Sequence, residues 1–131
     1  MADINYTGDD RFKCGATNHM SFGFANLADP EDPESVLIPD TEYLVGKTAR
    51  MHVRWKVTDP EPLFEATTEN GKIVLDAAEG RVDITIPPGD TELITLKERA
   101  AFYDFELVDG ADVQRPVEGT ILFDPNITRG V

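Results

Sequence analysis

Two histidines and one cysteine are the residues from which most chemistry at neutral pH would have to be built in this chain. His52 lies in Arg50-Met51-His52-Val53-Arg54, where the flanking cations favour a neutral imidazole, and neither His52 nor His19 stands at a base–nucleophile spacing. Cys14 has no disulfide partner and belongs to no zinc-like Cys/His spacing, so it reads as a small apolar core residue. There is no Gly-x-Ser-x-Gly, no P-loop, no His-Glu-x-x-His and no glycine-rich dinucleotide loop, so no catalytic residue and no cofactor is expected. The run Asp29-Pro30-Glu31-Asp32-Pro33-Glu34 gathers carboxylates without the Asp-x-Asp-x-Asp order and trailing Glu of a calcium loop, and reads as a solvated acidic loop rather than a metal site. These residues predict a protein that is not an enzyme.

Charge narrows the partners. The 131 residues carry a formal charge of −13, which repels phosphate backbones and anionic lipid heads, so neither nucleic acid nor a membrane surface is expected as a partner. The charge is unevenly placed. Lys47, Arg50, Arg54 and Lys56 fall between positions 43 and 58 with no acid among them, a local +4 that leaves −17 for the rest of the chain. Such a basic ladder either pairs across strands with carboxylates such as Asp83, Asp104 or Glu106, the favoured reading, or docks an acidic neighbouring subunit.

The elements that would hold these side chains are strands. Thr48-Ala49-Arg50-Met51-His52-Val53-Arg54-Trp55-Lys56-Val57 alternates throughout and predicts a half-buried strand with Ala49, Met51, Val53, Trp55 and Val57 inward, closed by Asp59-Pro60-Glu61-Pro62. Asn70-Gly71 between Leu63–Thr67 and Ile73–Leu75 predicts a hairpin on a type I′ turn. Arg81–Ile86 alternates with Val82, Ile84 and Ile86 inward, and Asp90–Leu96 reads as one short helical turn. Ala101–Leu107 and Val117–Phe123 alternate and flank the turn chemistry of Asp109-Gly110-Ala111-Asp112, which predicts an antiparallel pair. Asp10–Cys14 and Met20–Phe24 suggest short strands, and Asn26–Asp40 a long exposed loop.

About seven short strands with turns between them predict an all-β, immunoglobulin-like antiparallel sandwich. A chain of this length buries roughly two-thirds of its unfolded surface, enough for one domain over 1–131 without metal or disulfide. The segment 1–10, the acidic loop 26–42 and the tail 124–131 are expected to extend from it. The opening Met1-Ala2-Asp3-Ile4-Asn5 lacks a basic-then-apolar leader and no apolar run is long enough for a bilayer, which predicts a soluble protein made in a cytoplasm. The sequons at Asn5 and Asn126 then read as chance.

The order Thr48-Ala49-Arg50-Met51-His52-Val53-Arg54, Asn70-Gly71-Lys72-Ile73, Gly80-Arg81-Val82-Asp83-Ile84-Thr85-Ile86, Tyr103-Asp104-Phe105-Glu106-Leu107 and Val117-Glu118-Gly119-Thr120-Ile121-Leu122-Phe123-Asp124-Pro125-Asn126-Ile127-Thr128-Arg129 resembles a family of small tailed-bacteriophage proteins. These are immunoglobulin-like modules related to the N-terminal domain of baseplate upper proteins. The resemblance spans about residues 47 to 129, with Gly8-Asp9-Asp10 a fainter echo, and departs in the first third, where the loop from Asp29 to Asp40 is extra. It implies a virion structural protein, an adaptor in the tail, baseplate or collar that joins other virion proteins in multiple symmetric copies, and it brings no catalytic residues. Contact residues are expected on the basic ladder (Arg50, His52, Arg54, Lys56), the acidic loop (Asp29, Glu31, Asp32, Glu34) and the C-terminal exit (Asn126, Arg129). A capsid decoration protein, or a host-surface or glycan-binding module using Tyr6, Tyr43 or Phe24, are the alternatives.

Overall fold

Alternation decides which faces meet. Ala49, Met51 and Val53 from one strand, Ala101, Tyr103, Phe105 and Leu107 from a second, and Val117, Ile121 and Phe123 from a third are all buried. They face Met20, Ile73, Val82, Ile84 and Ile86, and all belong to one hydrophobic core. The computed structural model describes residues 2–94 and 99–125. Among them the strands are β1 (Ala2–Asp3), β2 (Phe12–Lys13), β3 (Asn18–Gly23), β4 (Ala25–Leu27), β5 (Leu37–Pro39), β6 (Thr48–Arg54), β7 (Phe64–Thr67), β8 (Ile73–Asp76), β9 (Arg81–Ile86), β10 (Arg99–Asp109) and β11 (Asp112–Asp124).

The larger sheet runs β1-β11-β10-β6-β7, with β2 also on β11; the smaller runs β3-β9-β8. The expected all-β, sandwich-like fold is therefore present. It contains more strands than the seven expected, because the first third folds more fully than its composition suggests. Phe22 of β3 meets Phe105 of β10 edge-on at 4.9 Å across the two layers, and further rings knit the larger sheet itself. Phe123 collects Phe12 at 5.7 Å, Trp55 at 5.5 Å and Phe64 at 6.1 Å. Such pairs are worth about 1 kcal/mol each beyond the area they bury. Cys14 is buried, in keeping with its apolar reading.

The larger sheet is not purely antiparallel. β1 and β2 both lie parallel to β11, and Tyr6 bridges to Ile121 between them. The N–H groups of Ile4 and Tyr6 donate to the carbonyls of Glu118 and Thr120, each at 2.9 Å. The N-terminal segment up to Tyr6 is thus woven into the sheet instead of extending from it, and Tyr6, expected to be free, is 6% exposed. Gly119 permits the close approach, since a Cβ there would fall on the Ile4 carbonyl.

Four further expectations are corrected. The strand predicted to reach Val57 ends at Arg54. Asp59 breaks it: its carboxylate accepts from the Lys56 N–H at 3.1 Å and its carbonyl from Arg54 Nε at 3.0 Å, so the chain turns and Val57 is 76% exposed. The Asn70-Gly71 hairpin does not form. β7 pairs with β6 and β8 with β9, in different sheets. Only Gly71 adopts positive φ (+80°), while the Asn70 side chain accepts from the N–H groups of Thr67 and Lys72, a turn that crosses between layers. The short helical turn sits at Pro88–Asp90, earlier than expected, because Pro88 starts it; Thr95 and Leu96 lie outside the described residues.

The fourth correction is the long loop, which is a hairpin. β4 and β5 pair antiparallel (Ala25 with Pro39, Asn26 with Ile38, Leu27 with Leu37) and form a separate two-stranded arm in the β3–β6 connection. The arm's base is tied to the sandwich through Phe24, whose N–H donates to Gly80 at 2.7 Å and whose carbonyl accepts from Asp40 at 2.9 Å. Gly80, at φ +60°, makes room there: a Cβ would stand 2.6 Å from the Phe24 carbonyl oxygen and 2.8 Å from that of Asp40. The N–H groups of Glu42 and Tyr43 hold the Asp40 carboxyl below the usual carboxylate range. Among the described residues no helix is long and apolar enough to cross a membrane.

Candidate interaction surfaces

Two surfaces stand out, the outward face of the larger sheet and the β4–β5 arm. On the sheet, register stacks side chains into rows. His52 of β6 lies opposite Glu65 of β7 and Asp104 of β10; Asp104 lies opposite Glu118 of β11, and Glu118 opposite Asp3 of β1. One step along, Arg54 lies opposite Phe102, and Phe102 opposite Thr120. One step the other way, Arg50 faces Glu106 and Thr67.

These rows settle where each predicted residue goes. Arg50 Nε reaches Glu106 at 2.7 Å, an ion pair inside the sheet. Asp83 is not a partner of the ladder: it sits on β9 in the other sheet, bound by Arg81 at 2.9 Å and by Ser21 at 2.9 Å. His52 is held from both sides. Arg54 Nη1 is 3.1 Å from Nδ1, and a guanidinium can only donate, so Nδ1 accepts and the ring proton sits on Nε2, 3.1 Å from Glu65. Lys56 has left the strand and lies exposed in the turn. Lys47 stays near the arm's base, over the Tyr43 ring at 3.9 Å.

The centre of this face is a groove of about 520 Å³ whose lining includes Arg54, Phe102, Arg115, Glu118, Asp3 and Thr120. A neighbouring depression of about 300 Å³ is lined by Arg50, His52, Arg54, Asp104 and Glu106. The face is therefore not simply basic, because β10, β11 and β1 bring carboxylates beside the cations of β6. Phe102, 47% exposed, is an outward ring that the candidates Tyr6, Tyr43 and Phe24 leave out; its alternation with the inward run Ala101, Tyr103, Phe105 is the sequence signal that marks it. Asp3 had no such signal, since its place depends on parallel pairing with a strand more than a hundred residues away.

On the arm, the acidic residues make turns. Asp29 accepts from the Glu31 N–H at 3.1 Å, Asp32 from the Glu34 N–H at 3.0 Å, and Ser35 Oγ donates to the Asp32 carbonyl at 2.8 Å. Among the described residues no group of three His, Cys, Asp or Glu is placed to hold a metal ion. Next to this tip Val36, Leu37 and Ile38 are 71%, 68% and 46% exposed. The acidic tip and the basic ladder share no hydrogen bond or ion pair among the described residues, so the structure does not bring these two predicted groups together. Asn126 and Arg129 lie outside the described residues.

Among the described residues of these two surfaces, no hydroxyl or thiol is hydrogen-bonded to a histidine. The groove offers charged side chains, the exposed ring of Phe102 and hydrogen-bonding groups. No protein-family model matches the chain, and no curated protein matches it.

Proposed function

We propose that this chain is a non-enzymatic adaptor of a tailed-bacteriophage particle, seated at the tail, baseplate or collar and joining other virion proteins in several symmetric copies. The observation that carries the adaptor role is the β4–β5 arm: a two-stranded hairpin with three consecutive exposed aliphatic residues, Val36 to Ile38. A lone hairpin is marginal in water, and a contiguous apolar strip on a projecting element gains most when a neighbour covers it. Placement in a virion rests on the resemblance over residues 47 to 129. Quantitative mass spectrometry of purified particles tests this reading, which requires the chain in a fixed multiple of the tail's symmetry; its absence from particles would refute it.

Phe102 supports a second reading. An exposed ring in a groove with Thr120 and charged neighbours could stack on a sugar, as a host-surface module would. Glycan-array binding that is lost in Phe102→Ala would favour it over the adaptor.

A further inference from the structure

The groove on the outer sheet holds opposite charges that do not satisfy one another. Arg54 gives Nε to the Asp59 carbonyl and Nη1 to His52, yet has no carboxylate partner among the described residues. Across the groove, Asp104, Glu118 and Asp3 stand directly opposite one another on three adjacent strands. Like charges in such register are destabilising, and among the described residues only Asp104 has a cation, Arg115 at 3.5 Å. Two strand spacings, about 10 Å, separate the strands of Arg54 and Glu118, with Phe102 between them.

We infer that this groove receives an extended polypeptide segment from a partner protein, bearing a basic and an acidic side chain two residues apart. In an extended strand such side chains share a face about 7 Å apart, and the long stem of the basic one covers the few ångströms that remain, so it reaches the Glu118–Asp3 pair while the acidic one reaches Arg54. Phe102 supplies an apolar floor beneath the stem of the basic side chain and attracts its charge. The match of charges selects this occupant. A uniformly acidic segment, the partner expected from the basic ladder alone, would meet Asp3, Asp104 and Glu118, and a uniformly basic one would meet Arg54 and Arg115.

This inference deepens the adaptor reading by naming what one of its surfaces grips. The test is selection from a library of random heptapeptides against the full chain, followed by affinity measurement on the best synthetic peptide. Enriched peptides should place Lys or Arg two positions from Asp or Glu. Arg54→Gln should weaken binding tenfold or more, Asp3→Asn with Glu118→Gln should do the same, and Glu69→Gln, remote from the groove, should leave it unchanged. If Arg54→Gln disturbs folding, the Asp3 and Glu118 pair carries the test alone. No peptide above background, enriched peptides without the charge pair, indifference to both variants, or glycan binding in place of peptide binding would each overturn it. A negative selection with the chain still found in particles would strike the groove and spare the adaptor; absence from particles would strike the adaptor alone.

Discussion

The Tyr103 hydroxyl donates to the Ile4 carbonyl at 2.7 Å, tying residues 99 positions apart and fastening the N-terminal strand beside β11. Tyr103 lies opposite Gly119, a position where a side chain would push Ile4 away. Burial, with Tyr6 and Asp3 nearby, pushes the Tyr103 phenol far above the ordinary tyrosine range, and burial raises Tyr6 and Tyr43 as well. The folded protein thus holds these protons more tightly than the unfolded chain. Their contribution is fully present below the unfolded value of about 10 and is lost as pH rises through the folded-state values. Denaturation midpoints should hold steady to about pH 9 and fall above about pH 10. Tyr103→Phe should cost about 1 kcal/mol at neutral pH and make the alkaline fall shallower. An unchanged alkaline slope would contradict this role.

Gly119 and Gly110 should both lose stability on substitution by alanine, for different physical reasons. Gly110 has φ +61° and open space around it, so Gly110→Ala costs only the left-handed conformation, about 1 kcal/mol. Gly119 lacks positive φ but has no room, so Gly119→Ala should displace Ile4 and cost roughly 1–3 kcal/mol. Hydrogen exchange distinguishes them: Gly119→Ala should speed the Ile4 and Tyr6 amides at least tenfold and leave β3 and β9 protected.

The strands of the core were legible because alternation encodes a half-buried sheet directly. Ala49, Met51, Val53, Val82, Ile84, Ile86 and Phe105 all lie where period two puts them. Pairing was less legible. Asn70-Gly71 is compatible with a hairpin, and only the burial of Phe64 against one sheet and Ile73 against the other chooses the crossing instead. The Pro- and Asp-rich stretch hid the arm, since its strands are three residues long and its order comes from Asx and serine turns. The outer face was half legible. The cations of β6 and their β10 partners Asp104 and Glu106 were visible in sequence, whereas the carboxylates of β7, β11 and β1 arrive only through register.

The Arg50–Glu106 pair is a direct test of that register. Arg50→Glu puts two carboxylates opposite each other and should cost about 1 kcal/mol, with the fold retained because both side chains are partly exposed. Glu106→Arg in the same chain should restore most of the loss in urea denaturation. Equal loss in the single and double variants would mean the two residues do not interact.

The arm should be dispensable for folding. Replacing residues 27–37 with a two-residue turn removes no residue of the hydrophobic core, so stability should change by about 1 kcal/mol or less in thermal denaturation. Larger loss would mean that the arm supports the sandwich rather than serving an interface.

Carboxylate-directed cross-linking of intact particles, read by mass spectrometry, tests the adaptor most directly, because Glu31 and Glu34 mark the arm tip. The account predicts cross-links from these residues to a different tail, baseplate or collar protein, and their disappearance when the arm is excised. Particles in which the chain is present but its arm cross-links to nothing, or only to the chain's own sandwich, would contradict it.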